Sequence, residues 1–270
     1  MIQQENTAST NDSLSADQAF DKFFTPPKKS PTEQEQKLEE QADIFTIPAK
    51  PVDLTAYSWG KGATILLVHG WGGRATQLGS FVEPLVELGY RVLAFDAPAH
   101  GKTAGRQTNG LEFVEAIKTV VKKEGSIDSI IAHSFGSTST AVALNEGITA
   151  RKIVFLGAVC HLSITFTIFS KSAKLTPELE QELRVLIEDK LGKDTWQRFS
   201  LDKINNLKIP TLLFHDRNDR EISYQESVAI NESWQDSQLI LTSRLGHRRI
   251  LNNEQVIQQT VNFIADKQDK

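Results

Sequence analysis

The stretch Asp128-Ser129-Ile130-Ile131-Ala132-His133-Ser134-Phe135-Gly136-Ser137-Thr138-Ser139-Thr140-Ala141-Val142-Ala143-Leu144-Asn145 decides how this chain is read. Its first part, through the unbroken Ile130-Ile131-Ala132, suits a strand covered on both faces, Asp128 to His133. Its second part, Ser134 to Asn145, is Ala-rich and helical in pattern. At the junction, Ala132-His133-Ser134-Phe135-Gly136 has the form small-x-Ser-x-Gly. Between a buried strand and a helix that form reads as a nucleophile elbow, a strained turn that exposes the serine at the sheet edge. The small flanking residues let neighbouring backbones pass closely. Ala132 stands where glycine is usual, so its methyl has to fit a crowded turn.

Outward from this unit the same rhythm repeats. Strand-like runs fall at Asp43 to Ile47, Leu54 to Trp59, Thr64 to His69, Arg91 to Phe95, Lys152 to Leu156, Pro210 to His215 and Gln238 to Thr242. Helical stretches lie near Ala75 to Leu88, Gly110 to Lys123, Tyr224 to Asp236 and Asn253 to Lys267. This alternation predicts an α/β fold with a mostly parallel central sheet, helices on both faces and right-handed crossovers. The interval from Leu156 to Pro210 breaks the rhythm. Within it Thr176-Pro177 forms an N-cap and N1 pair, and Leu179, Leu183, Leu186, Ile187 and Leu191 recur at helical spacing before Gly192. Residues 158–207 are thus expected to form a small helical cap, inserted into a core of 43–157 and 208–270, with Leu162, Ile164, Phe166, Ile168 and Phe169 as apolar lining. Residues 1–42 read as a polar N-terminal arm. Met1 to Ser15 is expected to be a loose tail, and the Thr32/Glu35 capping box starts a surface helix running to about Ala42.

Composition excludes several classes. The 270 residues carry 30 basic and 34 acidic side chains, net charge -4, which leaves no basic footprint for nucleic acid and no polybasic membrane anchor. One cysteine, Cys160, allows no internal disulfide and reads as a small buried thiol. Met1 to Ala16 lacks a basic n-region and an apolar h-region, and no apolar run reaches the ~18 residues of a membrane span. A soluble cytoplasmic protein is expected.

Two further segments carry candidate chemistry. His69-Gly70-Trp71-Gly72-Gly73 follows the strand Ile65 to Val68. A glycine-rich turn there can aim a backbone N–H into a site and join the N–H after a nucleophile in an oxyanion hole, whose donors by position are Trp71 and Phe135. It lacks the Gly-Lys-Ser/Thr of a phosphate loop and the Gly-x-Gly-x-x-Gly of a dinucleotide site. Late in the chain, Leu212-Leu213-Phe214-His215-Asp216-Arg217-Asn218-Asp219 gathers carboxylates after a strand, and Gly246-His247 follows the next one. The chain order is then Ser134, acid, His247, with Asp219, Asp216 and Glu221 as candidate acids. His69, His100, His133 and His215 also fall at strand ends, but no His-x-x-x-His, His-Glu-x-x-His or Cys-His cluster appears, so no metal site is expected. His69 and His100 are expected to brace loops. His69 is also placed at the substrate pocket, with Leu162 and Phe166 of the insertion. His161 borders it, and Arg248 and Arg249 read as surface charge or an ion pair.

Together with Asp96-Ala97-Pro98-Ala99-His100-Gly101, these motifs resemble the serine α/β-hydrolase fold family, esterase- or lipase-like with a short helical cap, over about residues 43–267. In that family's His-Gly-x-x-Asp loop the acid comes four residues after the histidine, which selects Asp219 after His215. The resemblance implies hydrolysis of a carboxylic ester, with Ser134 as nucleophile, His247 as base and then acid, and Asp219 orienting His247. It implies no cofactor. The apolar residues of the insertion suggest a small-molecule ester with a hydrophobic acyl or aryl group. A thioesterase, amidase, carbon–carbon bond hydrolase or acyltransferase would use the same three residues. Ser134 in place of an elbow aspartate argues against an epoxide hydrolase or haloalkane dehalogenase. The alternative of a different class is a non-catalytic ligand-binding protein that has kept the fold.

Overall fold

Alternate residues of the central strands face opposite sides of one sheet, and both sides are apolar. The computed structural model describes residues 14–204 and 207–266. The strands are β1 (Asp43–Ile47), β2 (Leu54–Trp59), β3 (Thr64–Val68), β4 (Arg91–Phe95), β5 (Ser129–His133), β6 (Lys152–Leu156), β7 (Thr211–Asp216) and β8 (Ser237–Thr242), in the order β1-β2-β4-β3-β5-β6-β7-β8. The ladder from β4 through β8 is parallel, and β2 runs antiparallel to both β1 and β4. Leu66, Val68, Leu93, Phe95, Ile130, Ala132, Ile153 and Phe155 pack on one face of the sheet, and Ile65, Leu67, Val92, Ala94, Ile131, Val154 and Leu156 on the other. This two-sided burial is why the strands read as continuous apolar runs. The methyl of Ala132 fits within the first of these faces.

The helices are α1 (Ala16–Phe23), α2 (Glu33–Glu40), α3 (Val82–Glu87), α4 (Gly110–Glu124), α5 (Phe135–Asn145), α6 (Leu162–Ala173), α7 (Pro177–Leu191), α8 (Thr195–Arg198), α9 (Gln225–Ser233), α10 (Gly246–Arg249) and α11 (Glu254–Ala265). The Asn109 side chain caps α4, and Gly125, at φ 78°, ends it. The single helix expected over Ala75 to Leu88 is instead a 3₁₀ segment, Ala75–Phe81, followed by α3. Pro84 in the first turn of α3 has no N–H with which to continue a helix from the preceding residues. Helices α6, α7 and α8 occupy the interval between β6 and β7. Among the described residues no helix is long and apolar enough to cross a membrane.

The N-terminal segment departs from the expectation of a polar arm with one surface helix. Residues 1–13, most of the expected loose tail, lie outside the described residues. Ser15 and Gln18 make a capping box that opens a helix the sequence reading lacked, α1. Ala19 and Phe24 pack against Leu183 and Ile187 of α7, so the stretch expected as a polar arm buries an aromatic face. Helix α2 starts at the expected Thr32/Glu35 box and buries none of its residues fully, yet partly buried Leu38 packs against the sheet face that carries Ile65, Leu67 and Val92, and its carbonyl accepts from Trp59 Nε1 at 2.9 Å.

From β3 the chain first adds β4 on one side and later β5 on the other. The loops that leave the C-terminal ends of β3 and β5 therefore diverge and open a crevice between them.

Candidate active site

Ser134 occupies the turn between β5 and α5 at φ 53°, ψ -125°, a conformation that side-chain-bearing residues rarely adopt. The neighbours leave little room. A Cβ on Gly136 would lie 2.3 Å from the His69 carbonyl oxygen, and one on Gly70 would lie 2.9 Å from Ser134 Cβ. This crowding accounts for the small residues around the serine.

His247 enters from the first turn of α10, behind Gly246 at φ 70°. Its Nε2 lies 2.9 Å from Ser134 Oγ and its Nδ1 lies 2.7 Å from Asp219 Oδ2. A carboxylate can only accept, so Nδ1–H donates to Asp219, and Nε2 is left to accept from the serine hydroxyl. The backbone that carries the ring is further fixed by His133, whose Nε2–H donates to the His247 carbonyl at 3.0 Å.

Asp219 is held from both sides. Its Oδ1 accepts the N–H groups of Glu221 (2.8 Å) and Ile222 (2.9 Å), and its Oδ2 faces both His247 Nδ1 at 2.7 Å and His215 Nε2 at 3.3 Å. Burial pushes this carboxyl up, but hydrogen bonds from His215 and His247, the charge of His247 and the Ile222 N–H outweigh it and hold Asp219 well below the usual carboxylate range. The other two carboxylates of the loop do different things. Asp216 is buried and accepts from Thr242 Oγ1 (2.8 Å), the Leu245 N–H (3.0 Å) and the Asn218 N–H (2.9 Å), which ties the end of β7 to the turn that carries His247. Glu221 forms a two-pronged pair with Arg248 at 2.9 and 3.0 Å, about half exposed to solvent. Arg249 donates to the Arg244 carbonyl.

The glycine turn after β3 is braced by two rings. His69 Nδ1–H donates to the Gly70 carbonyl at 2.7 Å and its Nε2 accepts from the Ala97 N–H at 3.1 Å. His100 Nδ1–H donates to the Pro98 carbonyl at 2.9 Å and its Nε2 accepts from the Gly72 N–H at 2.9 Å. Each ring needs one bare nitrogen, so each is neutral. Asp96 takes the N–H groups of Ala75 and Lys102 and the Tyr57 hydroxyl. Trp71 and Phe135, expected to supply N–H donors, lie with their rings edge to face at 5.8 Å, and neither N–H donates to another group among the described residues.

Burial lowers the pKa of His69 to about 4 and that of His100 to about 3. An unfolded histidine titrates near 6.5, so the unfolded chain binds more protons below that pH than the folded one. The stability contributed by the neutral rings is complete above about pH 6.5 and is lost as the pH falls from there through the folded values, roughly 2 kcal/mol per ring between pH 7 and pH 5. Urea unfolding at pH 7, 6 and 5 should show a midpoint that falls steadily. A midpoint constant over this window would mean that the rings are not held neutral.

A cavity of about 840 Å³ opens above Ser134 and His247, walled by Trp71, Leu111, Phe135, Leu162, Phe199 and Ile222, among others. Leu162 lines this cavity. His69 does not, because both its nitrogens are used inside the loop and it is 1% exposed. Phe166 also lies elsewhere. The cavity face of α6 carries Thr165, Ile168, Phe169 and Ser172, while Phe166 packs on Phe23 and Trp196. Phe23, Phe24, Thr25 and Pro27 line the same cavity and were missed. The Ser15/Gln18 box followed by Phe20, Phe23 and Phe24 was the available signal.

Cys160, His161 and Asp202 bring one potential metal-ligand atom each within 4.8 Å of one another, a grouping that the sequence spacing hid. Burial raises the Cys160 thiol to about 12, which keeps it protonated. His161 stands between Asp202 at 3.2 Å and Glu226 at 3.3 Å, beside the His161–Ser200 bridge just before α6.

Comparison with known proteins agrees with this architecture. Residues 65–178 match the family model described as the alpha/beta hydrolase family. A non-heme haloperoxidase of Rhodococcus erythropolis is 32% identical over 125 residues, which is 44% of this chain and 46% of that protein. A 2-hydroxy-6-oxononadienedioate/2-hydroxy-6-oxononatrienedioate hydrolase of Escherichia coli O139:H28 is 32% identical over 105 residues, 35% of each chain. The chain thus spans less than half the length of these curated relatives. Among solved structures, a Pyrococcus furiosus esterase superposes with a TM-score of 0.68 at 22% identity, covering 89% of this chain and 96% of that one. A meta-cleavage product hydrolase from Pseudomonas fluorescens gives 0.62 at 18% identity, covering 81% and 96%. The chain is an α/β-hydrolase fold protein.

Proposed function

We propose that this chain is a serine hydrolase that cleaves a carboxylic ester bearing a hydrophobic acyl or aryl group. The observation that carries the reading is the unbroken line Ser134 Oγ–His247 Nε2 (2.9 Å) and His247 Nδ1–Asp219 Oδ2 (2.7 Å) at the floor of an apolar cavity. Both distances lie within the reach that proton transfer requires. Ser134 Oγ attacks the ester carbonyl while its proton passes to His247 Nε2. The anionic oxygen of the tetrahedral intermediate is taken up by the Trp71 and Phe135 N–H groups. Asp219 keeps Nδ1 protonated and stabilises the imidazolium. His247 then gives its proton to the leaving alkoxide, leaving an acyl-serine. A water molecule, deprotonated by the same imidazole, releases the acid and restores Ser134. These steps draw only on this chain's residues and water.

A second reading, cleavage of a carbon–carbon bond in an anionic oxo acid, is favoured by one feature. Lys22 and Arg220 both line the cavity and are exposed cations suited to a substrate carboxylate. The relatives described as meta-cleavage product and oxononatrienedioate hydrolases fit that chemistry. A panel of neutral esters and anionic oxo acids separates the two.

Intact mass after incubation with a fluorophosphonate, compared with Ser134→Ala, tests the serine without presupposing a substrate. One adduct on the parent and none on the variant is expected. No adduct on folded parent would overturn the hydrolase reading in favour of a ligand-binding protein.

A further inference from the structure

Resting on that reading, the geometry points to Phe23 as a specificity-determining residue, which sets the size of the group the cavity accepts through a wall formed by the N-terminal segment.

Phe23 and Phe24 sit at the end of α1, and both line the cavity together with Thr25 and Pro27. Phe23 stands 5.0 Å from Phe169 of α6, ring centre to ring centre, so the two close one wall from opposite elements. Phe24 is 7% exposed and is rooted in the cluster with Leu183 and Ile187, whereas Phe23 is only half-buried. Phe23 also touches Phe24 and Phe166, but the buried anchor of the junction is Phe24, so Phe23 is the ring whose size can change while α1 keeps its anchor.

The segment is fastened to the core as well as to the insertion. Asp21 pairs with Arg106 at 2.9 Å and accepts from Gln107 at 3.0 Å. The Phe24 carbonyl accepts the Thr108 N–H at 3.0 Å. Arg74 donates to the Lys29 carbonyl. Pro27 lies against the glycine turn that carries the Trp71 N–H, so close that a Cβ on Gly72 would come within 2.7 Å of its ring. A stretch anchored at four places beside the reacting serine is a built wall. Its apolar rings and the two-element closure select by length and bulk, since the Phe23 ring itself offers no polar atom to recognise anything else.

The test is the rate at which alkyl fluorophosphonates of graded chain length modify Ser134, followed by intact mass on the full chain, for the parent, Phe23→Ala and Phe23→Trp. Phe23→Ala should raise the ratio of long-chain to short-chain rates by about tenfold, the discrimination that a methylene of misfit produces in an apolar pocket. Phe23→Trp should shift the ratio the other way, and it keeps the aromatic anchor if the smaller residue loosens α1. Melting temperatures report whether the segment stays attached. Adduct formation with ratios that stay within about twofold of the parent in both variants, or move in the same direction, overturns the wall and leaves the hydrolase reading intact. No adduct on the folded parent with any probe overturns both.

Discussion

Ser134→Ala is expected to lower turnover of an activated ester about 10⁶-fold, the loss seen when the nucleophile of such a hydrogen-bonded set is removed. The substitution deletes one atom, Oγ, whose partner is His247 Nε2 at 2.9 Å. The backbone conformation at φ 53° costs alanine as much as serine, so the turn keeps its strain and the fold should keep its melting temperature. The remaining rate comes from the cavity and the two backbone N–H groups, which still bind the ester and stabilise charge on its carbonyl oxygen. Because serine and histidine act as a unit, Ser134→Ala/His247→Ala should be no slower than Ser134→Ala alone. The measurement is kcat on a p-nitrophenyl ester with a melting curve for each variant. A Ser134→Ala enzyme within about 10²-fold of the parent would place the nucleophile elsewhere.

The parallel part of the fold is readable because strands covered on both faces leave an apolar run that no surface element imitates. Ile65-Leu66-Leu67-Val68 is one such run, and its residues do divide between the two faces of the sheet. The elbow is readable because close packing leaves a mark on the sequence: Gly136 faces the His69 carbonyl, so only a residue without Cβ fits. What stayed hidden depends on partners far along the chain. The segment Ala16 to Phe24 shows an apolar face in its own sequence, but the α7 surface that Ala19 and Phe24 bury against lies more than 150 residues later, so its docking does not follow from the local pattern. The direction of a single side chain is hidden in the same way. Position in the chain predicts His69 and Phe166 at the cavity, but hydrogen bonding turns the first inward and helical phase turns the second toward α1 and α8. Three carboxylates within six residues, Asp216, Asp219 and Glu221, could not be ranked by spacing alone without the family's loop. The structure separates them by partner: a loop clamp, the His247 ring and an exposed arginine.

Asp219→Asn is expected to lower turnover about 10⁴-fold with little change in structure, by reversing the proton pattern of His247. An amide has one accepting oxygen and one donating nitrogen. The Oδ1 position must accept two N–H groups, from Glu221 and Ile222, so the amide oxygen belongs there. The amide nitrogen then occupies the Oδ2 position, 2.7 Å from His247 Nδ1, and donates to it. Nδ1 becomes the bare nitrogen, and Nε2 carries the proton and points it at Ser134 Oγ, where a base is needed. The charge that would stabilise the imidazolium is also gone. Stability provides an independent check with a definite sign. Asp219 titrates below an unfolded aspartate, so its contribution to folding is complete above about pH 4 and is lost as the pH falls through the folded value. The asparagine variant lacks that contribution at every pH, so its urea midpoint should lie below the parent's at pH 7 and converge with it in acid. Single-turnover kinetics with a p-nitrophenyl ester, paired with these unfolding curves, measures both effects. Turnover within about tenfold of the parent would remove Asp219 from the orienting role and pass it to Asp216 or Glu221.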